Sequence, residues 1–116
     1  MAETSETTRQ LKVAREIQRD LAEIIRRSGM AAYEGAMVTV SGVKMSPDLA
    51  LAKVYVSIFP SAKAGRTMEL LEENNRKLRG ELGRQVAKQL RIVPELAFFL
   101  DDSLDYVEHI DELLKK

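Results

Sequence analysis

The chain has 116 residues, a length for one domain, and no cysteine, which excludes disulfides and thiolate metal sites. Its 18 basic and 18 acidic residues cancel to a formal charge of +0, which excludes a uniformly basic nucleic-acid binder but not a local basic face, because phosphate responds to the local field. No apolar run approaches the ~20 residues of a bilayer span, and the polar, mixed-charge start Met1 to Gln10 has the character of neither a signal nor a transit peptide, so a cytoplasmic protein with no membrane partner is expected.

Residues 1–7 read as a flexible N-terminus, with Thr7 or Thr8 as a helix N-cap. From about Thr8 to Arg27 the apolar residues Leu11, Ala14, Ile17, Leu21, Ile24 and Ile25 recur at helical spacing, and Gly29 ends the pattern. Met37 to Val43 alternates and is rich in β-branched residues, as strands are. Ser46-Pro47-Asp48 marks a turn. A second strand is expected over Leu51 to Phe59, with Ala52, Val54, Val56 and Ile58 facing the core and Lys53, Tyr55 and Ser57 facing away. The short connection predicts an antiparallel pair.

Pro60 ends that strand, and Ser61 to Arg66 reads as a loop. Thr67 to Arg91 is helical, as one helix or as two with a break, with Leu71, Leu78, Leu82, Val86 and Leu90 on one face. Pro94 closes it, Leu96 to Leu100 is a short strand, and an acidic amphipathic segment with Val107, Ile110, Leu113 and Leu114 follows. The expected fold is α+β, a three-stranded sheet with helices on one face, in the order α-β-β-α-(α)-β.

On a helical wheel Lys12, Arg15, Arg19 and Arg26 fall within about 60° of one another, opposite the apolar stripe. If the second helical region is continuous, Lys77, Arg84, Lys88 and Arg91 cluster the same way, with Arg76 and Arg79 nearer the edge. From Arg76 to Arg91 the only acid is Glu81, whereas acids concentrate at Glu69, Glu72 and Glu73 and from Asp101 to Glu112. Two readings stand: ordinary solvated helix faces, or a phosphate-binding surface built from both helices. Lys44 and Lys53 on the strands are further candidates for contact with RNA.

Little here suggests catalysis. His109 stands alone in the acidic tail and reads as a surface residue, and no nucleophile–base set can be assembled. Asp101, Asp102 and Asp105 lack the spacing and glycine of a calcium loop, so a turn or cap role is preferred. Neither a phosphate-binding loop nor a dinucleotide fingerprint occurs. No cofactor, metal or small-molecule substrate is expected, and no enzymatic activity. Gly80-Glu81-Leu82-Gly83 has the spacing of the GxxG loop that clamps RNA backbone in KH domains, but it lies inside an amphipathic pattern with Leu82 on the apolar side. Aromatics make up 5% of the chain; Tyr55 is placed to stack on a base, yet no aromatic platform is expected.

Two segments carry a family resemblance. Val38-Thr39-Val40-Ser41-Gly42-Val43-Lys44-Met45-Ser46-Pro47-Asp48-Leu49 with Ala52-Lys53-Val54-Tyr55-Val56-Ser57, and Arg91-Ile92-Val93-Pro94-Glu95-Leu96-Ala97-Phe98 with Asp101-Asp102-Ser103, resemble the ribosome-binding factor A family. Arg15-Glu16-Ile17 in the first helix agrees. The resemblance runs from about Arg9 to Leu114. It implies a type II KH-like domain, order α-β-β-α-α-β, over residues 8–104, followed by the acidic amphipathic tail 105–116. It implies a non-enzymatic factor, acting as a monomer, that binds free 30S subunits on 16S rRNA during late maturation and supports 5′-end processing and growth in the cold. The family's Ala-x-Gly at an interhelical kink corresponds here to Asn74-Asn75-Arg76, and Asn visits unusual backbone angles readily enough to keep a kink. The rival reading is a protein–protein adaptor that binds acidic partners through its basic helix faces.

Overall fold

Helix α1 spans Thr8–Ser28 in the computed structural model, which describes residues 7–86 and 93–101. Thr7 is its N-cap, and the start is a reciprocal capping box: Gln10 N–H donates to Thr7 Oγ1 at 3.1 Å, and Thr7 N–H donates to Gln10 Oε1 at 2.8 Å. The Gln10 amide also donates to the buried carbonyl of Met45 at 3.1 Å, tying the helix start to the end of the first strand. This moves the buried stripe. Gln10, Val13, Ala14 and Ile17 form it, while Leu11, expected to be apolar core, is 41% exposed. The helix stops at Gly29, whose φ of 81° lies where side chains with a Cβ are strained. A short 3-10 turn, Met30–Tyr33, follows and buries Tyr33.

Strand β1 (Met37–Met45) pairs antiparallel with β2 (Leu51–Phe59), and β2 pairs parallel with β3 (Glu95–Leu100), in the order β1-β2-β3. β1 runs two residues past the expected end and carries a bulge between Val40 and Gly42. The β1–β2 turn is closed by side chains. Asp48 Oδ1 accepts from Ser46 Oγ at 2.7 Å and from Ala50 N–H at 3.1 Å, while Ser46 Oγ accepts from Leu51 N–H at 3.0 Å. These bonds hold the Asp48 carboxyl below its ordinary pKa.

The expected loop after Pro60 is instead a 3-10 turn, Ser61–Lys63, leading directly into α2 (Ala64–Glu73). The start of α2 escapes sequence reading because Lys63 at the cap makes no side-chain bond there and Gly65 sits in the first turn. Arg66 compensates by pairing with Glu34, Glu69 and Glu73. The second helical region is two helices, α2 and α3 (Asn75–Val86), joined at Asn74. The expected continuation to Arg91 and the acidic tail lie outside the described residues.

All three helices lie on one face of the sheet, in the expected α-β-β-α-α-β order. Ile17, Leu21 and Ile24 of α1, Leu71 of α2, and Leu78, Leu82 and Val86 of α3 close over Val40, Val54, Val56, Leu96 and Phe98. Val54 and Val56 are fully buried on β2, with the expected alternation intact. Val54→Ala and Val56→Ala are each expected to cost about 1–3 kcal/mol in urea unfolding, with Ser57→Ala near zero. The reverse ranking would contradict the strand register.

Candidate nucleic-acid interface

Most of the described basic residues fall into four settings. The first is a polar groove where the C-terminal end of α1 meets α3, lined by Ile24, Arg27, Ser28, Lys77, Glu81, Arg84 and Gln85. Lys77 and Arg84 share a face because seven residues are nearly two turns, and Arg27 faces them from α1. Three cations therefore line the groove with one carboxylate, Glu81, while Glu23 on α1 also acts on Arg27. Among the described residues, none of Arg27, Lys77 and Arg84 is ion-paired. Arg27 also sits in the last turn of α1, where the exposed carbonyls favour positive charge. The Glu81 charge reaches Tyr33, whose hydroxyl is pushed to a higher pKa by burial first and by Glu81 second.

The second setting is the outer face of α1. Lys12, Arg15 and Arg19 are exposed there on the side away from the core. Arg19 stands 3.8 Å from Asp20. Arg26 is hydrogen-bonded to Glu23, which lowers the Glu23 carboxyl's pKa and raises that of the guanidinium. Arg26 also leans away from α3, over an apolar hollow lined by Ile25, Met30, Tyr33 and Val38. The groove therefore takes Arg27, which sequence reading passed over, in place of Arg26. Consecutive helical residues are about 100° apart, and which of the two faces α3 depends on packing that the α1 wheel does not contain.

The third setting is the open face of the sheet, which carries Lys44 and Lys53, both exposed. The fourth is the junction between α3 and β3, where charge is used internally. Arg79 donates to the carbonyls of Val93 at 2.7 Å and Pro94 at 3.1 Å, and Asn75 Nδ2 donates to Leu96 O at 2.9 Å. Arg79 is thus half-buried and holds the chain entering β3. Arg76 borders a hollow it shares with Glu72, Glu73 and Glu95, a field unfavourable to phosphate. Lys88 and Arg91 lie outside the described residues.

Asn74 itself has φ −96° and ψ 6°, on the right-handed side of the map. Its N–H donates to Leu70 O and its carbonyl accepts from Leu78 N–H, both at 2.9 Å. The junction between α2 and α3 therefore carries the helical hydrogen-bond ladder through Asn74 and uses no left-handed residue. Gly80 and Gly83 lie within α3, so Gly80-Glu81-Leu82-Gly83 forms no loop that could clamp a backbone. Gly83 has a packing role: a Cβ there would come within 3.0 Å of Val93 Cγ2.

Among the described residues no group of three or more His, Asp or Glu converges as metal ligands, and no helix is long and apolar enough to cross a membrane.

Known proteins match this chain along nearly its whole length. Its sequence is 43% identical over 113 residues to ribosome-binding factor A of Flavobacterium johnsoniae, covering 94% of this chain and 85% of the relative. It is 37% identical over 111 residues to that of Cytophaga hutchinsonii, covering 96% and 84%. The fold matches the crystal structure of ribosome-binding factor A from Thermus thermophilus with a TM-score of 0.66 at 26% identity, over 78% of this chain and 94% of that one. It also matches a Thermus thermophilus ribosome-binding factor A homology model fitted into a cryo-EM map of a complex with the 30S subunit, with a TM-score of 0.62 at 27% identity, over 76% and 90%. The family model described as ribosome-binding factor A matches residues 9–114, and the chain belongs to that family.

Proposed function

We propose that this protein is a non-enzymatic assembly factor that binds the free small ribosomal subunit on 16S rRNA, as a monomer in the cytoplasm. The observation that carries the reading is the groove in which Arg27, Lys77 and Arg84 converge from two helices, none of them ion-paired among the described residues. A relative fitted into a 30S complex supports the choice of partner. Cations held on rigid helices neutralise phosphates and release counterions, which makes binding strong at low salt and independent of base sequence. The bound factor stabilises one conformer of the immature RNA by its differential affinity for the two. Support for late maturation, for processing of the 5′ end of 16S rRNA and for growth in the cold follows from that stabilisation. The KH-like unit spans residues 8–104 in this reading, and the acidic tail, 105–116, stays off the RNA.

The test is sedimentation of cell extract through a sucrose gradient. The protein is expected with free small subunits and absent from translating ribosomes. Equal occupancy of both overturns the assembly role.

A further inference from the structure

The open face of the sheet is arranged in rows across the three strands. Lys44, Lys53 and Ala97 form one row, and Gly42, Tyr55 and Phe99 form the next. Thr39 and Ser57 follow, then Met37 and Phe59. Tyr55 and Phe99 stack with ring centroids 5.6 Å apart and planes 29° from parallel. Phe99 is 43% and Phe59 66% exposed. This is an aromatic surface where composition suggested none.

Two features of the face are unexplained by folding. Lys44 and Lys53 are directly opposite each other, an arrangement that destabilises a strand pair. Neither is ion-paired among the described residues; the closest acid by register is Glu95, a diagonal neighbour of Lys53. The second feature is Gly42. It follows the β-bulge, but its φ is not positive, so the bulge does not demand glycine there. A Cβ at Gly42 would meet no atom within 4 Å. A glycine in a strand interior costs stability and marks a place where something else approaches the backbone. Here the vacant position is the one across from Tyr55, on the side that Phe99 leaves uncovered.

We infer that the space over Gly42 is a slot for one unpaired nucleobase, stacked on Tyr55 with its phosphate on Lys44 and Lys53. Phe99 braces the far side of the Tyr55 ring. The lysines lie in the row on one side of the slot. On the other side Ser41 Oγ donates to Asp101 Oδ2 at 2.7 Å, and Asp101 N–H bonds Val56 O at 2.7 Å. Stacking reads any base, because every base has a π-face. The occupant is therefore single-stranded RNA, which a duplex with buried base faces cannot replace. This inference rests on the RNA-binding reading above and adds a second surface, separate from the helix groove.

The probe is an eight-nucleotide oligoadenylate carrying one 2-aminopurine, whose fluorescence is quenched on stacking. Wild-type protein is expected to quench it, and a duplex RNA of the same length to compete poorly. Gly42→Val fills the slot with a β-favouring side chain that has room, so its thermal melt should not fall. Its affinity for the oligonucleotide should drop roughly 5- to 150-fold, the worth of one base stack, with the salt slope unchanged because no charge is lost. Tyr55→Leu should match it, and Tyr55→Phe should bind as wild type. Unchanged affinity in Gly42→Val, or no quenching by wild type, overturns the slot. So does a Gly42→Val protein that loses small-subunit binding but keeps the oligonucleotide, which would assign the face to a protein partner. Failure to sediment with small subunits, with quenching intact, would instead overturn the assembly role and leave the slot standing.

Discussion

Replacing Arg27, Lys77 and Arg84 together by Gln is expected to flatten the log–log salt dependence of small-subunit binding by about 2 to 3 units, since each phosphate contact contributes roughly 0.7 to 0.9. If wild type and variant converge near 1 M salt, the same slope corresponds to two to three orders of magnitude in affinity at ~0.1 M. Gln keeps the helix propensity of the originals and stays polar without charge. All three side chains are exposed, so circular dichroism and the thermal melt should be unchanged. Two controls separate this surface from charge in general. Arg76→Gln should barely alter the slope, because Arg76 shares its hollow with Glu72, Glu73 and Glu95. Arg79→Gln should lower the melt instead, because it leaves the carbonyls of Val93 and Pro94 without their guanidinium donor. A triple variant with the wild-type slope would show the groove to be an ordinary solvated face.

Why some of this was readable beforehand is a matter of which interactions are local. The alternation of Ala52, Val54, Val56 and Ile58 specifies β2 because side chains alternate faces with a period of two, and one buried face makes the register costly to shift. Helix α1 is readable for the same kind of reason, except in its first turn. There Gln10 takes a buried position by bonding a carbonyl 35 residues away, and Leu11 is displaced. The basic stripes are legible as periodicity, but their roles are not. Arg79 looks like its neighbours until β3 brings two carbonyls to it. Arg27 looks peripheral until α3 packs beside it. The aromatic pair is separated by the whole α2–α3 crossover, so composition alone could not place Phe99 against Tyr55.

The same long-range bond makes Gln10 the position at which one atom should matter most for stability. Gln10 is 5% exposed and serves two partners at once: its oxygen accepts from Thr7 N–H and its nitrogen donates to Met45 O. Gln10→Glu preserves the shape and the acceptor but turns the donor into an oxygen facing another oxygen. At neutral pH it also buries a charge. The expected cost is about 2–4 kcal/mol, or a melting temperature lower by roughly 10–20 °C for a domain of this size. Burial and the facing carbonyl raise the folded pKa of the new carboxyl above its unfolded value. The folded state then binds more protons between the two values, so the variant loses stability as pH rises through that window. Its deficit relative to wild type should be smallest in acid, where the protonated carboxyl again donates to the Met45 carbonyl, and full above the folded pKa. The carboxyls of Glu23 and Asp48, held low by Arg26 and by the β-turn, contribute stability that both proteins lose as pH falls through their folded pKa values. That loss cancels in the difference. Gln10→Ala removes the same bonds without adding a charge, so its deficit should be independent of pH. Urea melts of the three proteins from about pH 4 to pH 8 measure this directly. A Gln10→Glu deficit that does not narrow toward acid would mean that the side chain has turned out to solvent. The start of α1, with Lys12 and Arg15 in the turns that follow, would then not be anchored through Met45 at all.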